Sequence, residues 1–325
     1  ACDWGPVRIF RNTSGKFEDI TTESGLVGFQ GRWNGVTTGD FDGDGRLDLV
    51  ASNWGRNTKY QRHLETPLRL YFGDFDGNGS VDLVESYFDR AMNEWVPWRG
   101  LISLSRAIPS IRERVPTFQA FGSASVRRII GDALDAGREL SVNTLDSMLF
   151  LNRDGRFEAR PLPIEAQFAP AFGVNVADFD GDGHEDIFLS QNFFAVHPET
   201  SRYDAGRGLW LRGDGQGGFA PVSGQESGVL VYGEQRGSAV GDYDDDGRVD
   251  LAVAQNGAET KLNHNERARP GLRVELKGPA GNPTGVGASL RLMCGERLGP
   301  VREIHAGSGF WSQDSSRQVL GSLET

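Results

Sequence analysis

The chain has 325 residues, enough for one large all-β domain or two ordinary ones, with 44 glycines and a formal charge of −11. No Lys/Arg-rich stripe is present, which excludes the basic face that nucleic-acid binding needs. No run of 18 apolar residues exists, so nothing in the sequence spans a membrane as a helix.

The first stretch, Val7–Asn12 and Phe17–Thr21, reads as two short alternating strands around a turn at Ser14-Gly15. Gly35–Gly39 leads into Asp40-Phe41-Asp42-Gly43-Asp44-Gly45-Arg46-Leu47-Asp48, and the apolar Leu49-Val50-Ala51 leaves it. The same pattern, D-[FY]-D-x-[DN]-G-x-x-D, returns at 74–82, 178–186 and 242–250, each time running into a strand. Residues 68–72, 81–87 and 95–98 are further strands. Between 100 and 145 the period changes. Leu101, Leu104, Ile108, Ile111 and Val115 fall at helical spacing, as do Val126, Ile129, Ile130, Ala133 and Leu134, with Pro109 and Pro116 limiting the first helix. Residues 148–192 and 208–256 are full repeats of strand, glycine turn and aspartate loop. Lys261–Asn265 begins one more strand. From Leu272 the strands at 272–276 and 288–292 alternate cleanly, and 301–305 and 317–320 read as further strands.

The four loops predict four Ca²⁺ cages. Side-chain oxygens at positions 1, 3 and 5, a carbonyl at 7 and a carboxylate at 9 make a hard-oxygen ring, and the glycine at 6 permits the sharp turn. The candidate ligands are Asp40, Asp42, Asp44, Arg46 and Asp48; Asp74, Asp76, Asn78, Ser80 and Asp82; Asp178, Asp180, Asp182, His184 and Asp186; and Asp242, Asp244, Asp246, Arg248 and Asp250, with Arg46, Ser80, His184 and Arg248 contributing backbone only. No cysteine or imidazole side chain stands at a ligand position, so zinc and copper are poorly served. Mg²⁺ keeps its waters and rarely takes an all-protein cage. Neighbouring carboxylates repel by a few kcal/mol per pair at an effective dielectric of about 20, and a dication reverses that sign. Sixteen aspartates lie in the loops, so four dications would bring the charge to about −3. An EF-hand fits badly: position 12 holds Ala51, Glu85, Leu189 and Val253, and only one of these is the required Glu.

These loops, with the preceding Asn-Gly-Phe elements such as Asn152 through Phe157, resemble the FG-GAP, or VCBS, repeats of calcium-loaded β-propellers like the integrin α-subunit head. The tail, Gly281–Ala288 with His305–Gln313, resembles the ASPIC/UnbV module that follows such repeats. The resemblance implies a mainly β, calcium-binding β-propeller with repeats at 1–99 and 147–268 and a C-terminal β module at 269–325, and the helical spacing adds a helical insertion at 100–146. It implies a structural role for the metal, because the cage sits between adjacent strands of one blade. Four loops and a partial strand make fewer blades than a closed ring needs. Missing blades, strands from the tail or self-association with another chain would close it.

For function the expectation is a secreted, periplasmic or cell-surface scaffold that binds an extracellular protein or a glycan. The absence of an initiator Met suggests a processed protein or fragment. The alternative is an extracellular carbohydrate-active hydrolase or lyase working from the propeller face. No G-x-S-x-G, H-E-x-x-H or P-loop occurs, and His63, His184, His197, His264 and His305 are scattered. Trp33, Trp54, Trp95, Trp98, Phe193 and Phe194 are either a sugar or peptide platform or core. Cys2 and Cys294 are either a disulfide joining the two ends or two thiols.

Overall fold

The computed structural model describes residues 1–321, so the last four residues of the 269–325 module lie outside the described region. Strand β1 (Asp3–Gly5) pairs with β4 (Gly31–Arg32), and between them β2 (Phe10–Thr13) and β3 (Lys16–Asp19) form a hairpin. The first aspartate loop joins β5 (Gly35–Gly39) to β6 (Asp48–Ser52), and the second joins β7 (Leu68–Gly73) to β8 (Asp82–Asp89), followed by β9 (Glu94–Pro97). Four short helices come next, α1 (Leu101–Ala107), α2 (Ile111–Arg114), α3 (Phe118–Gly122) and α4 (Val126–Ile130), then β10 (Arg138–Val142), β11 (Met148–Arg153) and β12 (Arg156–Pro161). The third loop lies between β13 (Ala171–Ala177) and β14 (Asp186–Gln191); β15 (Leu209–Gly213), β16 (Phe219–Val222) and α5 (Gly224–Ser227) follow. The fourth lies between β17 (Gln235–Gly241) and β18 (Asp250–Gln255), and β19 (Ala258–Asn263) ends the repeats. The tail holds β20 (Leu272–Val274), β21 (Ser289–Cys294), β22 (Arg297–Glu303) and β23 (Gln318–Leu320).

These strands make antiparallel sheets in the orders β5-β6-β11-β12, β13-β14-β15-β16, β10-β7-β8-β9 and β17-β18-β19, with two-stranded pairs elsewhere. The chain is mainly β, and no closed barrel is present among the described residues. Each aspartate loop is the connection between two paired strands, because the apolar run after position 9 is a β-branched, pleat-fitting segment. Val50, Ala51, Ile187, Leu189 and Val253 are fully buried there.

Two features differ from the sequence expectation. The interruption is wider than the insertion expected at 100–146: β6 pairs with β11, so residues 53–147 are spliced into the middle of the first sheet. The 100–146 insertion is also not wholly helical. Its end, Arg138–Val142, is a strand on the edge of β7, with Val142 opposite Leu68. A strand of five residues with three exposed positions carries too little alternation to announce itself.

The helical stretches do bury the faces their spacing marks. Leu101, Leu104, Ile108, Ile111, Val115, Val126, Ile129 and Ile130 pack with Tyr71 and Val84 of the β7–β8 pair and with Phe75 of the loop between them. Helices of four to seven residues are not stable alone. Each buried Leu or Ile contributes roughly 1.5–3 kcal/mol, and that burial holds them. A second core, Phe41, Val50, Leu149, Leu151, Val174, Ile187, Leu189 and Leu211, joins the first sheet to the β13–β16 sheet. Cys2 and Cys294 are both free thiols.

Candidate metal centres

All four loops are wound by the same hydrogen bonds. The position 1 carboxylate accepts the N–H of the glycine at position 6: Gly45 to Asp40 at 3.0 Å, Gly79 to Asp74 at 2.9 Å, Gly183 to Asp178 at 2.8 Å and Gly247 to Asp242 at 2.9 Å. Those glycines have φ between +82° and +89°, a conformation that side chains with a Cβ disfavour. The position 5 oxygen accepts the N–H of position 7, as from Arg46 to Asp44 at 2.9 Å and Ser80 to Asn78 at 2.7 Å. The position 9 carboxylate reaches back to the N–H of position 2, Phe41, Phe75, Phe179 or Tyr243, at 3.0–3.1 Å. Its other oxygen takes a backbone N–H from the end of the third strand or just beyond it: Asn152 to Asp48 at 2.7 Å, Gly213 to Asp186 at 2.8 Å and Asn265 to Asp250 at 2.8 Å.

This winding gathers three carboxylates per loop. Oxygens of Asp40, Asp42 and Asp48 lie within 4.8 Å of one another, and so do those of Asp74, Asp76 and Asp82, of Asp178, Asp180 and Asp186, and of Asp242, Asp244 and Asp250. Positions 1, 3 and 9 thus converge. The position 5 side chains turn partly elsewhere. Asp44 pairs with Arg46 and stands 3.4 Å from Arg153, and Asp246 pairs with Arg248 at 2.5 Å. At position 7 the side chains leave the ring: Arg46 donates to the Asn152 carbonyl, Arg248 to the Ala268 carbonyl, and the His184 ring lies against Gly215.

The donor set fits a hard divalent cation. Asp40 Oδ1 and Asp42 Oδ1 are buried and have no hydrogen-bond partner. An unsatisfied buried polar atom costs about 1–3 kcal/mol, more when charged, and a cation between these two would satisfy both. Burial pushes the carboxyls up: Asp48 to about 7, Asp178 to about 6 and Asp186 to about 8. Asp40 and Asp82 move in the same direction for the same reason. Such groups gain most from positive charge brought beside them.

Three arginines and a histidine from other segments already touch three of the loops. Arg153 stands 2.7 Å from Asp42, Arg212 2.7 Å from Asp180, Arg273 2.9 Å from Asp242 and His264 3.0 Å from Asp244. The second loop has no such ion pair among the described residues. His264 also joins Asp244 and Asp246 in a fifth group with metal-ligand spacing. Local motif reading missed these residues, since Arg153 is 111 positions from its partner Asp42.

The tail lies over three of the loops. The Val301 N–H donates to Asp40 at 2.9 Å, Arg291 to the Gly43 carbonyl at 3.1 Å, Arg269 N–H to the Asp180 carbonyl at 3.1 Å and Gly271 N–H to the Gly247 carbonyl at 2.7 Å. Arg302, itself buried, makes a two-bond ion pair with buried Glu185 at 2.6 and 2.9 Å. Beside the third and fourth loops a cleft of about 470 Å³ opens between two sheets, walled by Phe179, Phe188, Trp210, Val249 and Leu251, with Arg212, Glu226 and His264 among its polar walls.

A family model described as an FG-GAP-like repeat matches residues 1–51, which hold the β2–β3 hairpin, β5, the first loop and most of β6. No curated protein matches the chain. Among solved structures, the crystal structure of exotype rhamnogalacturonan lyase YesX aligns with 97% of this chain and 53% of its own, at 12% identity and a TM-score of 0.24. This chain spans about half the length of that protein. No helix is long and apolar enough to cross a membrane among the described residues.

Proposed function

We propose that this chain is an exported, calcium-stabilised β-propeller-type scaffold that binds an extracellular protein or a glycan. The observation that carries the reading is the fourfold recurrence of one carboxylate triad at one place, the turn between paired strands. Asp40, Asp42 and Asp48, and their counterparts at positions 1, 3 and 9 of the other loops, would hold Ca²⁺. Bound there, the ion supplies two positive charges to three crowded carboxylates. The protein's own groups do the rest. The carboxylate at position 9 ties its loop to the third strand in the first, third and fourth loops, so filling the loop stiffens the sheet. The FG-GAP-like match at 1–51 supports the propeller reading, and the tail over the loops fits an ASPIC/UnbV-like module packed on the calcium end. The cleft beside Trp210 is the place for a ligand, with a volume in the range of small-molecule sites.

The catalytic alternative, a carbohydrate-active hydrolase or lyase, would have to work from that same cleft. Its carboxylates Asp180 and Glu226 are both drawn to Arg212, at 2.7 and 3.6 Å, which favours a structural role for the pair. Calcium titration by calorimetry, with a glycan array and pull-down run in calcium and in EDTA, tests the proposal. Binding of close to four ions and a ligand retained only in calcium are expected. No calcium uptake would overturn the scaffold reading, and turnover of a polysaccharide would replace it with the catalytic one.

A further inference from the structure

Among the described residues, one hairpin lacks a sheet and one sheet lacks a hairpin. β11 and β12 form the outer half of the first sheet, with Asn152 opposite Phe157 and Asn152 Oδ1 accepting the Gly155 N–H at 2.8 Å. β2 and β3 repeat that geometry, with Asn12 opposite Phe17 and Asn12 Oδ1 accepting the Gly15 N–H at 2.8 Å. The sequences agree as well: Ile9-Phe10-Arg11-Asn12 then Gly15-Lys16-Phe17-Glu18, against Leu149-Phe150-Leu151-Asn152 then Gly155-Arg156-Phe157-Glu158. The two hairpins differ in what they cover. β11 lies along β6, Phe150 opposite Leu49, and its Asn152 N–H ends on Asp48. Among the described residues β2 pairs with β3 alone.

The matching gap is on β8. The position 9 aspartates Asp48, Asp186 and Asp250 each take a second backbone N–H at the end of the third strand or just beyond it. Asp82 takes only that of Phe75 among the described hydrogen bonds. β9 covers β8 from Ser86 onward, and the Trp98 N–H to the Glu85 carbonyl, at 2.8 Å, closes that pairing. Among the described residues the outer edge of Asp82–Val84 therefore pairs with no strand. Beside it Val81 and Leu83 are 67% and 62% exposed, while Phe10 and Phe17 are 49% and 72% exposed on the hairpin. Alternate residues of a strand share a face, so Val81 stands with Leu83, and Phe10 stands with Asn12, whose cross-strand partner is Phe17.

We propose that the β2–β3 hairpin of one copy of this chain pairs with the start of β8 of a second copy, in the register that β11 takes on β6. Phe10 then faces Leu83, the Asn12 N–H reaches Asp82, and four exposed apolar side chains become neighbours. The added strand supplies main-chain hydrogen bonds and the phenylalanines supply selectivity, as in other strand additions. Donor and acceptor surfaces differ, and each copy keeps one of each, so the association runs head to tail.

Sedimentation of the full chain in calcium, over a range of concentrations, tests this with two surface variants, Phe10→Lys and Leu83→Lys. The wild type is expected to gain mass with concentration, and each variant alone to stay at the mass of one chain. An equimolar mixture of the variants is expected to give a complex of two chains, because each still offers the surface its partner has lost. A wild type that stays single at the highest concentration, association that survives both changes, or a mixture that does not pair would each overturn the proposal. Unchanged near-ultraviolet circular dichroism confirms that both variants are folded, since both positions are exposed.

Discussion

The first and second aspartate loops share a motif and a winding, yet they stand in different surroundings. Asp40 and Asp48 are buried, and the loop they close is crossed by the tail through Val301 and Arg291 and by Arg153 from the next strand. Asp74 is exposed, and no tail residue hydrogen-bonds its loop among the described residues. The motif fixes how nine residues wind. What the loop does for the fold depends on what is packed over it.

Chelation gives the largest expected effect. Removing calcium should cost the first, third and fourth loops about 2.7 kcal/mol each, relative to calcium at a hundredfold excess over Kd. Scanning calorimetry in calcium and in EDTA measures it, and an unmoved midpoint would break the comparison. Filling the second loop should move the midpoint least. Next comes Arg302→Met, which strands buried Glu185 without its partner and should cost about 3–5 kcal/mol in urea unfolding. A Glu185→Met, Arg302→Met double variant should recover most of that loss. Asp48→Ala leaves the Phe41 and Asn152 N–H groups unanswered and should cost about 3 kcal/mol. Asp82→Ala loses one such bond in a more open place and should cost about 1 kcal/mol by the same measurement. Equal losses at Asp48 and Asp82 would show that burial does not separate the two loops.

Much of this was written locally. The spacing of Asp40, Asp42 and Asp48 is enough to bring their oxygens together, because hydrogen bonds within nine residues wind the loop. The helical faces were also readable, since Leu101, Leu104 and Ile108 are neighbours by period alone. Pairing across long separations was not readable. Nothing near Val50 says that its partner is Leu149, and nothing near Asp42 announces Arg153. His264 looked like one scattered histidine because its aspartates lie about twenty residues upstream. The tail's alternation marked strands but gave no hint that Val301 and Gly271 would cap loops far from them in the chain.

The splice of residues 53–147 bears on how the molecule is made. β6 leaves the ribosome long before β11, its partner, exists. The intervening segment has its own helical core and can be shaped in that interval. Its two ends are then pinned side by side: the Asn53 N–H donates to Ser147 Oγ at 3.1 Å and the Gly55 N–H to the Leu145 carbonyl at 2.7 Å. A segment that departs and returns through one doorway can be lengthened, exchanged or cut out over evolutionary time while the sheet around the doorway keeps its register.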